Sequence, residues 1–125
     1  MKNKKILLVD DEADVTTALT FALEVHGFEV DSYNNPLAAL SSFKSNYYDI
    51  AILDIKMPKM DGFALYERLK TIDPGVKICF LTASEMYHEE IREEKYSVLD
   101  NELFIQKPIS TDDLIRKINN KINSD

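Results

Sequence analysis

Apolar residues follow two alternating rhythms along the chain. Uninterrupted runs of four occur at Ile6-Leu7-Leu8-Val9, Ile50-Ala51-Ile52-Leu53 and Ile78-Cys79-Phe80-Leu81, and hydrophobicity at successive positions suits strands covered on both faces. Glu29 to Tyr33 and Leu103 to Gln106 mix polar residues into the pattern and suit strands nearer a sheet edge. Between the strands the spacing changes to threes and fours. Val15, Ala18, Leu19, Ala22 and Leu23 share one helical stripe, which His26-Gly27 stops. Asn35-Pro36 opens a second helix that uses Leu37, Leu40 and Phe43. A third carries Leu65, Leu69 and Ile72 until Asp73-Pro74-Gly75 breaks it. The last starts at Ser110, with Asp112 and Asp113 at its positive end, and carries Leu114, Ile115, Ile118 and Ile122. Residues 85–102 hold a thinner stripe of Met86, Tyr87 and Ile91 among Glu85, Glu89, Glu90, Glu93 and Glu94, and predict one more helix.

A strand followed by a helix, five times over, predicts an α/β fold: an open parallel sheet with five helices on its two faces. With 125 residues and 45% hydrophobic content, residues 1–125 are expected to form one domain with a core of its own. The lone Cys79 cannot form an internal disulfide and is expected to be an inert core residue. Fifteen Lys and Arg against 22 Asp and Glu leave a net charge of −7, which argues against direct nucleic-acid binding and against a membrane surface. Ile6 to Val9 is too short for a signal-peptide core or a membrane span, so a soluble, cytoplasmic protein is expected.

In such a sheet ligands bind beyond the carboxyl ends of the strands. The residues delivered there are Asp10-Asp11, Asp54, Thr82 and Lys107-Pro108. Three carboxylates in a poorly solvated pocket repel one another unless a cation neutralises them, and all-oxygen donors suit Mg2+. A carboxylate beside that ion could attack phosphorus, with an ammonium spreading the developing charge and a hydroxyl holding one oxygen.

Val9-Asp10-Asp11-Glu12, Asp54-Ile55-Lys56-Met57-Pro58-Lys59-Met60-Asp61-Gly62, Thr82-Ala83 and Lys107-Pro108 resemble, in order and after the right strands, the signature of CheY-like response regulator receiver domains. The resemblance spans essentially the whole chain. It implies a flavodoxin-like, doubly wound five-stranded sheet in the order 2-1-3-4-5. It further implies two-component signal transduction: Asp54 accepts a phosphoryl group from a histidine kinase or phosphotransfer protein, and the output surface switches for a downstream protein target that the sequence leaves unknown. By position, Asp11, Asp54 and the backbone carbonyl of Lys56 would hold Mg2+, with Asp10 helping through water. Lys107 would contact the phosphoryl oxygens, Thr82 would move to bond one, Phe104 would be the aromatic switch residue, and Pro108 would follow a cis peptide. The chain would catalyse its own modification without being a conventional enzyme. Whether phosphorylation drives homodimer formation through the fourth and fifth helices stays open.

Two features depart from the family pattern. Residues 96–102, Tyr-Ser-Val-Leu-Asp-Asn-Glu, stand where a small-residue motif is usual and are a few residues longer. Lys56 and Ser84, two residues past Asp54 and Thr82, are expected to overhang the phosphoryl group, and Lys56 to alter its lifetime. A phosphatase of the haloacid-dehalogenase type would need Asp at position 56, and a module that only keeps the fold would be expected to lack one or more of the five site residues. The three glycines, Gly27, Gly62 and Gly75, cannot build a nucleotide-cradling loop. His26 and His88 are expected to be a helix-end and a surface residue.

Overall fold

In the computed structural model, which describes residues 3–83 and 103–124, the continuous apolar runs are the middle of a sheet. Strands β1 (Lys5–Val9), β2 (Glu29–Tyr33), β3 (Ile50–Asp54), β4 (Ile78–Thr82) and β5 (Leu103–Gln106) lie in the order β2-β1-β3-β4-β5. All four neighbouring pairs are parallel. The helices among the described residues are α1 (Ala13–Val25), α2 (Pro36–Ser42), α3 (Gly62–Ile72) and α4 (Thr111–Ile122). The helix expected over 85–102, together with Ser84 and His88, lies outside the described residues.

Successive strand residues point to opposite faces, so each central run feeds two cores. Leu7, Val9, Ala51, Leu53, Ile78 and Phe80 pack with Ala39 of α2 and with Phe63, Leu65 and Leu69 of α3. Ile6, Leu8, Ile50, Ile52, Cys79 and Leu81 pack with Leu23 of α1 and with Leu114 and Ile118 of α4. Every residue of β3 and β4 is buried, whereas β2, at one edge, has only exposed and half-buried positions.

The helix caps follow local chemistry. Asn35 Oδ1 accepts the amides of Leu37 (2.8 Å) and Ala38 (3.4 Å), and Ser110 Oγ accepts that of Asp113 (3.2 Å). Gly27 ends α1 with φ 91°, the left-handed region where only glycine carries no Cβ penalty. The buried stripes are rotated from the expected ones at three places. Ala18 is exposed and Thr16 is buried in its stead, because the Thr16 hydroxyl is satisfied: it donates to the Ala13 carbonyl (3.1 Å) and accepts from Asn34 Nδ2 (3.0 Å). Leu37 and Ile72 are 44% and 41% exposed, and Pro36, Ala39 and Phe63 occupy the buried positions of α2 and α3.

Register sets the site. Val9 pairs with Leu53, Leu53 with Phe80, Asp54 with Leu81, and Thr82 with Gln106. The residues that follow Val9, end β3, end β4 and follow Gln106 therefore stand along one edge, at the switch point where the chain order reverses between β1 and β3.

Candidate functional site

Asp10 is held from three directions. Its amide donates to the Tyr33 carbonyl (3.1 Å), its carbonyl accepts from Asn34 Nδ2 (2.8 Å), and its Oδ1 accepts the amide of Glu12 (2.9 Å). The residue is fully buried. Its other oxygen, Oδ2, accepts from Lys107 Nζ at 3.0 Å. The same ammonium lies 3.4 Å from Glu12 Oε1 and 3.5 Å from Asp54 Oδ1. Lys107 is delivered by β5: its amide donates to the Thr82 carbonyl (2.7 Å), and the Lys107–Pro108 peptide is cis.

Asp54 closes β3 with its side chain 8% exposed. Asp11, Glu12, Asp54, Lys56, Thr82 and Lys107 line one open cleft of about 730 Å3, with Ala83 and the Ile55–Pro58 segment completing its wall. Thr82 is buried, and Lys56 is exposed on the rim. Phe104 sits half-buried behind the cleft, its ring stacked on Phe80 (centroids 5.1 Å apart) and tilted against Phe63 (6.3 Å).

Electrostatics follow from this crowding. Burial, then the neighbouring Asp10 charge, pushes the Asp54 carboxyl up to about 7; Lys107 pulls it back, and Asp11 adds to the rise. Burial also raises Asp10, against the opposing pull of the Glu12 amide and Lys107. At Lys107 burial acts to lower the ammonium, but the bond to Asp10 and the charges of Asp54 and Glu12 outweigh it, so its pKa is raised. Loss of hydration at Asp10 and Asp54 thus exceeds what one ammonium returns.

The donor set is compatible with a divalent cation. Carboxylate oxygens of Asp10, Asp11 and Glu12 come within 4.8 Å of one another, Asp54 faces the same cleft, and every donor is an oxygen, as a hard cation requires. Asp10 has both oxygens already engaged, so its direct share in holding a cation is smaller than that of Asp11 and Asp54. Of the positions singled out in the sequence, Asp11, Asp54, Lys56, Thr82 and Lys107 line this cleft, Asp10 is bonded to Lys107 beside it, Pro108 follows Lys107 across the cis peptide, and Phe104 packs in the core against Phe80 and Phe63. Glu12 is the residue whose side chain sequence reasoning passed over. The signal was available: glutamate stands immediately before the helical stripe, where Ser, Thr, Asp or Asn caps better.

Fold and site together define a doubly wound α/β protein whose switch-point cleft gathers carboxylates around one ammonium. The chain matches the response regulator receiver domain model over residues 6–119 and belongs to that family. It is 32% identical over 112 residues to the C4-dicarboxylate transport transcriptional regulatory protein DctD of Rhizobium meliloti, covering 89% of this chain and 24% of that protein. The CheY-like receiver domain protein of Methanospirillum hungatei superposes with a TM-score of 0.85 at 28% identity, covering 98% of this chain and 95% of that one. The response regulator TrrA of Thermotoga maritima, solved in complex with Mg2+-BeF, gives 0.80 at 32% identity, covering 94% and 97%. The chain spans from 24% to 48% of the length of the first three curated relatives it matches. No helix among the described residues is long and apolar enough to cross a membrane.

Proposed function

We propose that this chain is a cytoplasmic receiver unit of two-component signalling that accepts a phosphoryl group on Asp54 from a histidine kinase or phosphotransfer protein. The observation that carries the reading is the meeting of Asp54 and Lys107, 3.5 Å apart in a cleft that Asp11 and Glu12 also line. The complex of TrrA with Mg2+-BeF, at 32% identity, supports it.

Asp11, Asp54 and the carbonyl of Lys56 are the residues that would hold Mg2+, with Asp10 acting through water. Bound there, the cation would offset the carboxylate charge and the charge developing on the transferring phosphoryl. An Asp54 carboxylate oxygen attacks phosphorus in line. The bond from phosphorus to the donor histidine nitrogen breaks, and that nitrogen keeps the electron pair and takes up a proton. Lys107 and the Thr82 hydroxyl bond the phosphoryl oxygens in one arrangement only, so phosphorylation biases a two-state equilibrium toward it. Phe104, packed on Phe80 behind Thr82, would follow and remodel the surface offered to a downstream protein or to a second copy of the chain. On this reading residues 1–125 act as one domain that catalyses its own modification. Lys56 on the rim would pair with the phosphoryl group and change its lifetime, so Lys56→Asn is expected to alter the dephosphorylation rate.

Incubation with acetyl phosphate and Mg2+, followed by intact-mass measurement, tests the proposal. Wild type should gain the mass of one phosphoryl group and Asp54→Asn should not. Equal incorporation by both would refute it.

A further inference from the structure

Glu12 stands at the start of α1 without using its side chain there. Its carbonyl accepts the amides of Val15 (3.1 Å) and Thr16 (3.2 Å), yet the side chain makes no capping bond, and glutamate is not among the residues favoured at that position. The carboxylate reaches instead to 3.4 Å from Lys107 Nζ. Lys107 therefore faces three carboxylates, with Asp10 at 3.0 Å and Asp54 at 3.5 Å. Exposure separates their roles: the Asp10 and Asp54 side chains are 0% and 8% exposed, and that of Glu12 is 64% exposed. Water can take the place of Lys107 around Glu12 and cannot do so around Asp10.

We infer that Glu12 is a positioning residue that holds the Lys107 ammonium toward α1 in the unphosphorylated protein and competes with the phosphoryl oxygens for it afterwards. The inference rests on the phosphoacceptor reading of Asp54. An ammonium has three protons, and here three carboxylates share them. A phosphoryl group on Asp54 brings roughly 1.5 to 2 negative charges and three acceptor oxygens. Lys107 turns toward it and gives up the contact that solvent replaces most easily, which is Glu12. The Glu12 pair thus favours the unphosphorylated state, by the modest factor of a partly screened ion pair.

The test is titration of beryllofluoride, a phosphoryl mimic that adds to a carboxylate, at saturating Mg2+, so that any contribution of Glu12 to cation affinity drops out. Glu12→Gln keeps the length and loses the charge. Glu12→Asp keeps the charge, loses the reach and caps the helix better. Both should bind the mimic about two- to fivefold more tightly than wild type. Unchanged affinity in Glu12→Gln overturns the inference, as does wild-type affinity in Glu12→Asp, which would indicate a general field effect. A cycle of urea midpoints without Mg2+ over wild type, Glu12→Gln, Lys107→Ala and the double variant gives a second measurement. A coupling between positions 12 and 107 is expected, and strict additivity overturns the inference. Wild type that takes up neither beryllofluoride nor phosphoryl overturns the Asp54 reading itself, a result distinct from wild-type uptake with silent Glu12 variants.

Discussion

Gly62 meets the backbone of Asp54 so closely that a Cβ at position 62 would lie 2.3 Å from the Asp54 carbonyl oxygen and 2.9 Å from Ile55 Cα. The Gly62 amide also donates to the Ile55 carbonyl at 2.8 Å. The first residue of α3 is therefore seated against the end of β3, and the atoms a methyl group would strike are backbone, with no rotamer to yield. Gly62→Ala is expected to shift Asp54 and to cost about 1–3 kcal/mol by overpacking. Urea denaturation reads the cost. Acetyl phosphate incorporation should slow beyond what the unfolded fraction explains, and a wild-type rate would show that Asp54 had not moved.

Asp54 gives the metal-free protein a pH dependence opposite to that of a salt-bridged carboxylate. With its carboxyl at about 7 in the fold against an ordinary 3.8, the folded chain holds a proton that the unfolded chain has released. Stability should decline as pH rises from about 4 to about 7 and level off above. Asp54→Asn should remove most of that decline and stabilise the Mg2+-free protein at pH 8 by about 1–4 kcal/mol, the upper figure being the full shift converted. Urea midpoints at pH 5 and pH 8 decide it: the gain must be larger at pH 8.

Lys59 adopts φ 73° in the loop between β3 and α3, a left-handed conformation that penalises a side chain. Lys59→Gly should raise stability by about 0.5–1 kcal/mol, and Lys59→Val should lower it by at least as much, because a β-branched residue tolerates positive φ worst. Thermal or urea midpoints of the two variants should fall on opposite sides of wild type.

Asp73, 5% exposed, ties two loops together at the end of the sheet opposite the cleft. Its Oδ2 accepts the amide of Asn46 (3.0 Å) and its Oδ1 that of Gly75 (3.1 Å). Asp73→Ala removes two part-buried hydrogen bonds and should cost about 1–3 kcal/mol. Mg2+ affinity by calorimetry should stay at the wild-type value, since nothing in the cleft touches Asp73.

The central strands were readable because β1, β3 and β4 are buried on both faces, which continuous apolar runs satisfy; their order in the sheet came only with the resemblance to receiver domains. The caps at Asn35 and Ser110 were readable for a related reason: each bond is closed within three residues of its own helix. The faces of the helices were read less well. Ala18 and Leu37 fit a stripe by spacing, yet Thr16 and Ala39 lie inside: Asn34 satisfies the Thr16 hydroxyl, and α2 turns Pro36 and Ala39 rather than Leu37 toward the core. A period of 3.6 specifies that one face is apolar, and the neighbouring elements choose its centre.

The site divides along the same line. Asp10, Asp11, Asp54, Thr82 and Lys107 could be picked out from one dimension, since each follows or ends a strand whose carboxyl end must face the cleft. What that dimension leaves undetermined is who holds whom. Asp10 and Lys107 are 97 residues apart in the chain, and their 3.0 Å bond exists because β1 and β5 run parallel with two strands between them. The partition of Lys107 among Asp10, Glu12 and Asp54, and the rise of Asp54 to about 7, come from burial and long-range charge. Local sequence encodes which groups arrive at the edge; desolvation and distance, which only the folded chain defines, set their charges and their partners.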